Sequence, residues 1–125
     1  MPRVLVVDDV QANLDLMVSL LRILGNQPVT ATSGQEAVEL AKVQSFDVVL
    51  LDIQMPGMDG FETARALRAI PSLEAVPFVA VTALAMPGDR ERILDAGFSG
   101  YISKPIDAQR LPGQLASFLP PREDA

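Results

Sequence analysis

The chain has no cysteine, no histidine and no tryptophan, and it carries one tyrosine and five phenylalanines in 125 residues. Without Cys and His there is no thiol chemistry, no disulfide framework, no zinc site built on either residue, and no Ser-His or Cys-His nucleophile pair. Nor can the chain carry a phosphoryl group on an imidazole of its own. Positive charge is scarce too: ten Lys and Arg stand against sixteen Asp and Glu, a formal net charge of -6. No basic run can neutralise a row of phosphates, so nucleic acid is not expected as a direct partner. Long apolar runs are missing, since no stretch approaches the roughly 18 residues of a membrane span. The opening MPRVLVVDD sets two acids where a signal peptide needs an apolar segment. A cytoplasmic location without membrane contact is the expectation. Neither GxxxxGKS/T nor GxGxxG occurs, so no loop cradles a nucleotide through its amides.

What is present is a globular composition, 49% apolar and 21% charged, in a length that suits one core. Five β-rich segments, 3–7, 28–32, 47–51, 77–81 and 101–103, alternate with stretches of helical period, which predicts βα units around a parallel sheet. Three of the segments are nearly continuous apolar runs, as central strands covered on both faces require. The spacing predicts a first helix over 11–24 with Leu14, Met17, Val18, Leu21 and Leu24 facing the core and Gly25 as its left-handed cap. Ser33 and Glu36 match a capping box for the second helix. The third starts near Gly60 with Phe61, Ala64 and Leu67 inward. The fourth runs from Pro87 to Ala96 and ends at Gly97. Pro112 argues that the fifth begins near Leu111 rather than at Asp107, with Leu111, Leu115, Phe118 and Leu119 buried. Residues 1–119 are read as one domain and 120–125 as a short Pro-rich acidic tail.

In an open parallel sheet, ligands bind beyond the carboxyl ends of the strands. There the sequence puts Asp8 and Asp9 after the first strand, Asp52 after the third, Thr82 after the fourth and Lys104 after the fifth. Three carboxylates on one edge repel by about 4 kcal/mol per pair at about 4 Å and an effective dielectric near 20. Lys104 can neutralise one; a hard divalent cation with oxygen ligands suits the rest, and Mg2+ takes one or two carboxylates plus a phosphate oxygen. A carboxylate attacking phosphorus forms an acyl phosphate, provided that a cation and fixed donors balance the charge on the equatorial oxygens. Asp52 is the expected nucleophile, Asp8 and Asp9 the metal ligands, and Lys104 and Thr82 the partners of the phosphoryl oxygens. Taken singly, each residue also has an ordinary account as a helix cap or a solvated loop group.

Together the Asp8-Asp9 pair, LLDIQMPGMDG with Asp52, VTA with Thr82, and YISKPI with Tyr101 and Lys104 resemble the receiver domain of two-component response regulators over essentially the whole chain. The resemblance implies a flavodoxin-like (βα)5 α/β fold with strand order 2-1-3-4-5. It also implies phosphorylation of Asp52 by a histidine kinase or histidine phosphotransfer protein, with Mg2+ as cofactor and Mn2+ as a substitute. The Gln54 main-chain carbonyl would complete the metal shell, and Lys104-Pro105 would be a cis peptide. Thr82 and Tyr101 would form a switch that alters the surface around the fourth helix, fifth strand and fifth helix for a downstream protein target. Gln54 and Leu84 occupy positions that influence hydrolysis in such proteins. The domain would catalyse only its own phosphorylation and dephosphorylation, and is not expected to be an enzyme in the ordinary sense.

One feature lies outside these motifs. Leu16, Leu20 and Ile23 widen the apolar arc of the first helix beyond its core stripe, which suggests a docking surface for a kinase or phosphotransfer helix; packing against the fifth helix is the ordinary account. A flavodoxin-like carrier is disfavoured because DDVQAN would repel a flavin phosphate. A phosphatase using an aspartyl phosphate after the first strand would need an acid where Val10 stands. A stand-alone regulator is the expectation, with a domain cut from a larger regulator or hybrid kinase as the alternative.

Overall fold

A computed structural model describes residues 2–83 and 88–118. Among the described residues five strands and five α-helices alternate: β1 (Arg3–Val7), α1 (Gln11–Ile23), β2 (Gln27–Ala31), α2 (Gly34–Val43), β3 (Val48–Asp52), α3 (Gly60–Arg68), β4 (Phe78–Thr82), α4 (Asp89–Asp95), β5 (Gly100–Ser103) and α5 (Leu111–Ala116), with a short 3-10 helix (Pro71–Leu73) between α3 and β4. All pairings are parallel and the strand order is β2-β1-β3-β4-β5. The chain therefore has the parallel α/β sheet that its apolar pattern predicts, in the doubly wound strand order that the receiver resemblance implies.

Burial explains the order. Every residue of β3 and β4 is buried, and β1 is buried from Val4 onward, whereas the edge strand β2 is mostly half-buried and the other edge strand, β5, exposes Tyr101 and Ser103. Because successive side chains in a strand point to opposite faces, Leu5, Val7, Val49 and Leu51 join Ala37, Ala41, Ala64, Leu67 and Ile93 of α2, α3 and α4. Val4, Val6, Val48 and Leu50 join Leu14, Met17 and Leu21 of α1 with Leu111 and Leu115 of α5. Both faces of the three central strands are thus covered.

The helix ends follow local chemistry. Gly25, at φ 85°, ends α1 in the left-handed region. Ser33 Oγ accepts the Glu36 N–H at 3.1 Å, one arm of the expected capping box, while the Glu36 carboxylate accepts the Thr32 hydroxyl at 3.3 Å. Asp59 caps α3 by accepting the Glu62 N–H at 2.9 Å. A Cβ on Gly60 would lie 2.5 Å from Ile53 Cα and 2.6 Å from the Asp52 carbonyl oxygen, so α3 can start against the end of β3 only because this residue has no side chain. The fifth helix begins at Leu111 with Pro112 in its first turn, where the missing N–H costs nothing. Leu84, Pro87, Leu119 and the 120–125 tail lie outside the described residues. No described helix is long and apolar enough to cross a membrane.

Candidate functional site

The strand ends converge as the topology demands. Asp8 follows β1, Asp52 is the last residue of its neighbour β3, and Thr82 ends β4. Lys104 follows β5 and is tied back by its N–H to the Thr82 carbonyl at 2.9 Å. One carboxylate oxygen from each of Asp8, Asp9 and Asp52 lies within 4.8 Å of the others. Asp8 and Asp52 are 5% and 3% exposed, while Asp9 faces solvent.

Lys104 Nζ donates to Asp8 Oδ2 at 3.0 Å and to Asp52 Oδ2 at 3.2 Å. The other oxygen of each acid is held by backbone: Asp8 Oδ1 accepts the Val10 N–H at 2.9 Å, and Asp52 Oδ1 accepts the Gln54 N–H at 3.0 Å. Burial pushes the Asp52 carboxyl above its ordinary range; the Gln54 N–H and Lys104 pull it back, and the Asp8 charge pushes it up further. For Lys104, burial acts to lower the pKa, but the hydrogen bonds and charges of Asp8 and Asp52 outweigh it, so its pKa is raised and the ammonium persists. The bland account of Asp8 as a loop cap is thus also true: the same carboxylate fixes the entry to α1 and faces the site.

Three carboxylates on one edge, with one ammonium among them, leave an excess of negative charge and an all-oxygen donor set. That is what a hard divalent cation such as Mg2+ requires, and zinc or a soft metal finds no nitrogen or sulfur here. Gln54 lies two residues beyond Asp52, at the lip of the same loop. Thr82 is completely buried, and Tyr101, two residues before Ser103 on β5, is 39% exposed. The Lys104-Pro105 bond is cis.

The response regulator receiver domain model matches residues 4–116. The chain belongs to the response regulator receiver domain family. Members of this family accept a phosphoryl group on aspartate and bind Mg2+ at an acidic pocket, and this receiver domain presents such a pocket. It is 43% identical over 117 residues to the signal transduction histidine-protein kinase BarA of Escherichia coli, which covers 94% of this chain but 13% of the kinase. It is 39% identical over 116 residues to the polar-differentiation response regulator DivK of Brucella ovis, covering 93% of this chain and 94% of DivK. The receiver domain of sensor histidine kinase PA1611 from Pseudomonas aeruginosa superimposes with a TM-score of 0.84 at 34% identity, covering 94% of this chain and 96% of that one; that structure has a magnesium ion coordinated in its active-site cleft. Receiver domains interact with histidine kinases and with downstream targets.

Sequence reasoning missed one contributor to this receiver site. Asn13 Nδ2 donates to Asp8 Oδ2 at 3.2 Å, from the first turn of α1. The signal lay in the spacing: a helix starting two residues after Asp9 must carry its first turn back over the end of β1. The three residues of the wide apolar arc separate. Leu20 is half-buried against the cluster that contains Leu111 and Leu115, whereas Leu16 and Ile23 are 42% and 79% exposed.

Proposed function

We propose that Asp52 is the phosphoacceptor. A carboxylate oxygen of Asp52 bonds to phosphorus while the phosphorus–nitrogen bond of a phosphohistidine donor breaks, the electron pair leaving on the imidazole nitrogen. Asp8, Asp9, Asp52 and the Gln54 carbonyl would hold Mg2+, or Mn2+ in its place; the ion supplies positive charge to the phosphoryl oxygens. Lys104 pairs with one phosphoryl oxygen and the Thr82 hydroxyl donates to another. The observation that carries the reading is the gathering of three acids, from the ends of two neighbouring strands, around one doubly bonded lysine.

Signal leaves the site through Thr82 and Tyr101. A new hydrogen bond on Thr82 is worth about 1 kcal/mol, up to about 3 to a charged acceptor, so the two states of the switch lie close in free energy. The changed surface, around α4, β5 and α5, recruits a downstream protein. The donor is a histidine kinase or phosphotransfer protein, and Leu16 and Ile23 are the docking residues with Leu20 at their base. The domain works in the cytoplasm without nucleic acid, and its only catalysis is gain and loss of its own phosphoryl group. A stand-alone role is supported by the near-complete coverage of DivK. The identity to a segment of BarA favours the second reading, a receiver within a larger kinase.

Incubation with acetyl phosphate, with and without Mg2+, followed by intact mass tests the chemistry. Gain of one phosphoryl group that requires Mg2+ and is lost in Asp52→Asn is the expected result. An unmodified mass for folded, Mg2+-replete protein refutes it.

A further inference from the structure

Asp8 carries more donors than Asp52 does. Its Oδ1 accepts the Val10 N–H at 2.9 Å, and its Oδ2 accepts both Lys104 Nζ at 3.0 Å and Asn13 Nδ2 at 3.2 Å. At 5% exposure, Asp8 has little water to replace a donor that leaves. Lys104 already serves two carboxylates, and a phosphoryl oxygen would be its third partner. A lysine has three N–H bonds but one position, so a turn toward the phosphoryl group loosens its hold on Asp8. Asn13 has no such competing role: its backbone N–H is fixed to the Val10 carbonyl at 3.1 Å, within the turn that Asp8 caps. Asp8, Asn13, Met17, Lys104 and Ile106 also line a cavity of about 10 Å³, no larger than one water needs.

We propose that Asn13 is a positioning residue whose amide remains on Asp8 Oδ2 when Lys104 turns from that oxygen to the phosphoryl group on Asp52. The proposal rests on Asp52 being the acceptor. It follows that Asn13 eases the release of Lys104 and keeps the Asp8 carboxylate in one orientation through the transfer. Loss of a comparable outer donor slows or weakens such sites about 10-fold to 100-fold.

The test compares wild type, Asn13→Ala and Asn13→Gln, labelled by acetyl phosphate at saturating Mg2+ and followed by intact mass. Asn13→Ala is expected to label about tenfold more slowly, and Asn13→Gln, which keeps an amide on a longer arm, to recover most of that rate. In a Lys104→Met background, where no ammonium has to move, Asn13→Ala should cost clearly less than it does in wild type. A second readout needs no turnover: the Asn13 side-chain amide protons, followed by NMR, should exchange no faster in phosphorylated than in unmodified protein. Wild-type labelling by Asn13→Ala, an equal loss in the Lys104→Met background, or faster amide exchange after phosphorylation each overturn the positioning role and leave the acceptor reading standing. Failure of wild type to label overturns both.

Discussion

Lys104 bridges the two buried acids of the site, and its removal should be costly in a way that depends on pH. Its ammonium is bonded at 3.0 and 3.2 Å to carboxylates whose side chains are 6% and 4% exposed, and is itself 20% exposed. Removing one partner from a buried ion pair costs about 3–5 kcal/mol, because the remaining charge stays buried. The partial exposure of Lys104 argues for the lower end. Lys104→Met is therefore expected to lose about 3 kcal/mol at pH 7.5 in EDTA, a large share of the roughly 5–15 kcal/mol of a typical domain. The sign of the pH effect follows from Asp52, whose pKa is raised by burial and by Asp8 and loses one of its lowering influences with the lysine. A carboxyl whose folded pKa lies above its unfolded value contributes stability that is present below the unfolded value and is lost as pH rises through the folded one. The deficit of Lys104→Met should therefore shrink from pH 7.5 to pH 5. Lys104 itself, with its raised pKa, stays charged across that window. Adding Mg2+ should stabilise the variant more than wild type, and at 100 times the dissociation constant the gain is about 2.7 kcal/mol. Urea denaturation at both pH values measures this. Equal midpoints for variant and wild type at pH 7.5 without divalent ions refute the account of the site as a buried, lysine-bridged acid pair.

Asp52→Asn removes a charge that burial penalises, so in EDTA its melting temperature should exceed that of wild type by a few degrees, and the difference should narrow as pH falls toward 4; calorimetry decides. Gly60→Ala drives a methyl group into the backbone of Ile53 and Asp52, and should cost about 1–3 kcal/mol in urea while slowing acetyl phosphate labelling, because the acceptor strand shifts with it. Leu20→Glu should lose about 2 kcal/mol, since it packs against the core cluster on that face of the sheet, whereas Ile23→Glu should stay within about 0.5 kcal/mol of wild type. If the exposed part of α1 docks the donor, Ile23→Glu slows transfer from a phosphohistidine protein but not from acetyl phosphate.

Patterns that solvation alone can generate were legible in the chain. Val49, Leu50 and Leu51 read as a buried strand because water must be excluded from both their faces, and alternation of such runs with helical periods predicted a parallel α/β sheet, whereas the strand order came from the receiver resemblance. Boundaries were less legible. The run 47–51 stops before Asp52 by polarity, yet Asp52 belongs to β3 because its backbone pairs with Val81 whatever its side chain carries. Asp59, followed three residues later by Glu62, carries the capping signature seen at Ser33 and Glu36, yet the start read near Gly60 left it out; it caps α3 by accepting the Glu62 N–H. Asn13 stayed hidden because its role depends on the angle at which α1 crosses β1, a tertiary quantity absent from any local pattern. For the same reason Leu16, Leu20 and Ile23 read as one arc, while only the middle one packs against the core.

The electrostatics of Asp52 suit a nucleophile better than a mere ligand. A carboxylate stripped of water is more basic and attacks more readily, but burial alone also favours the protonated, inert form. The Gln54 N–H and Lys104 act against that by stabilising the ionised form, one through a fixed dipole and the other through a movable charge. The division matters, because a dipole in the backbone stays with the carboxylate throughout, whereas an ammonium on a long stem can follow the negative charge as it passes from Asp52 to the phosphoryl oxygens. Such a transfer of allegiance is inexpensive only if Asp8 does not hold the lysine back, and the Val10 N–H and Asn13 amide already satisfy much of what Asp8 needs. The acid that approaches Lys104 most closely is thus also the one best supplied with other donors, which is the arrangement a site must have if its cation is to move without leaving a bare buried charge behind.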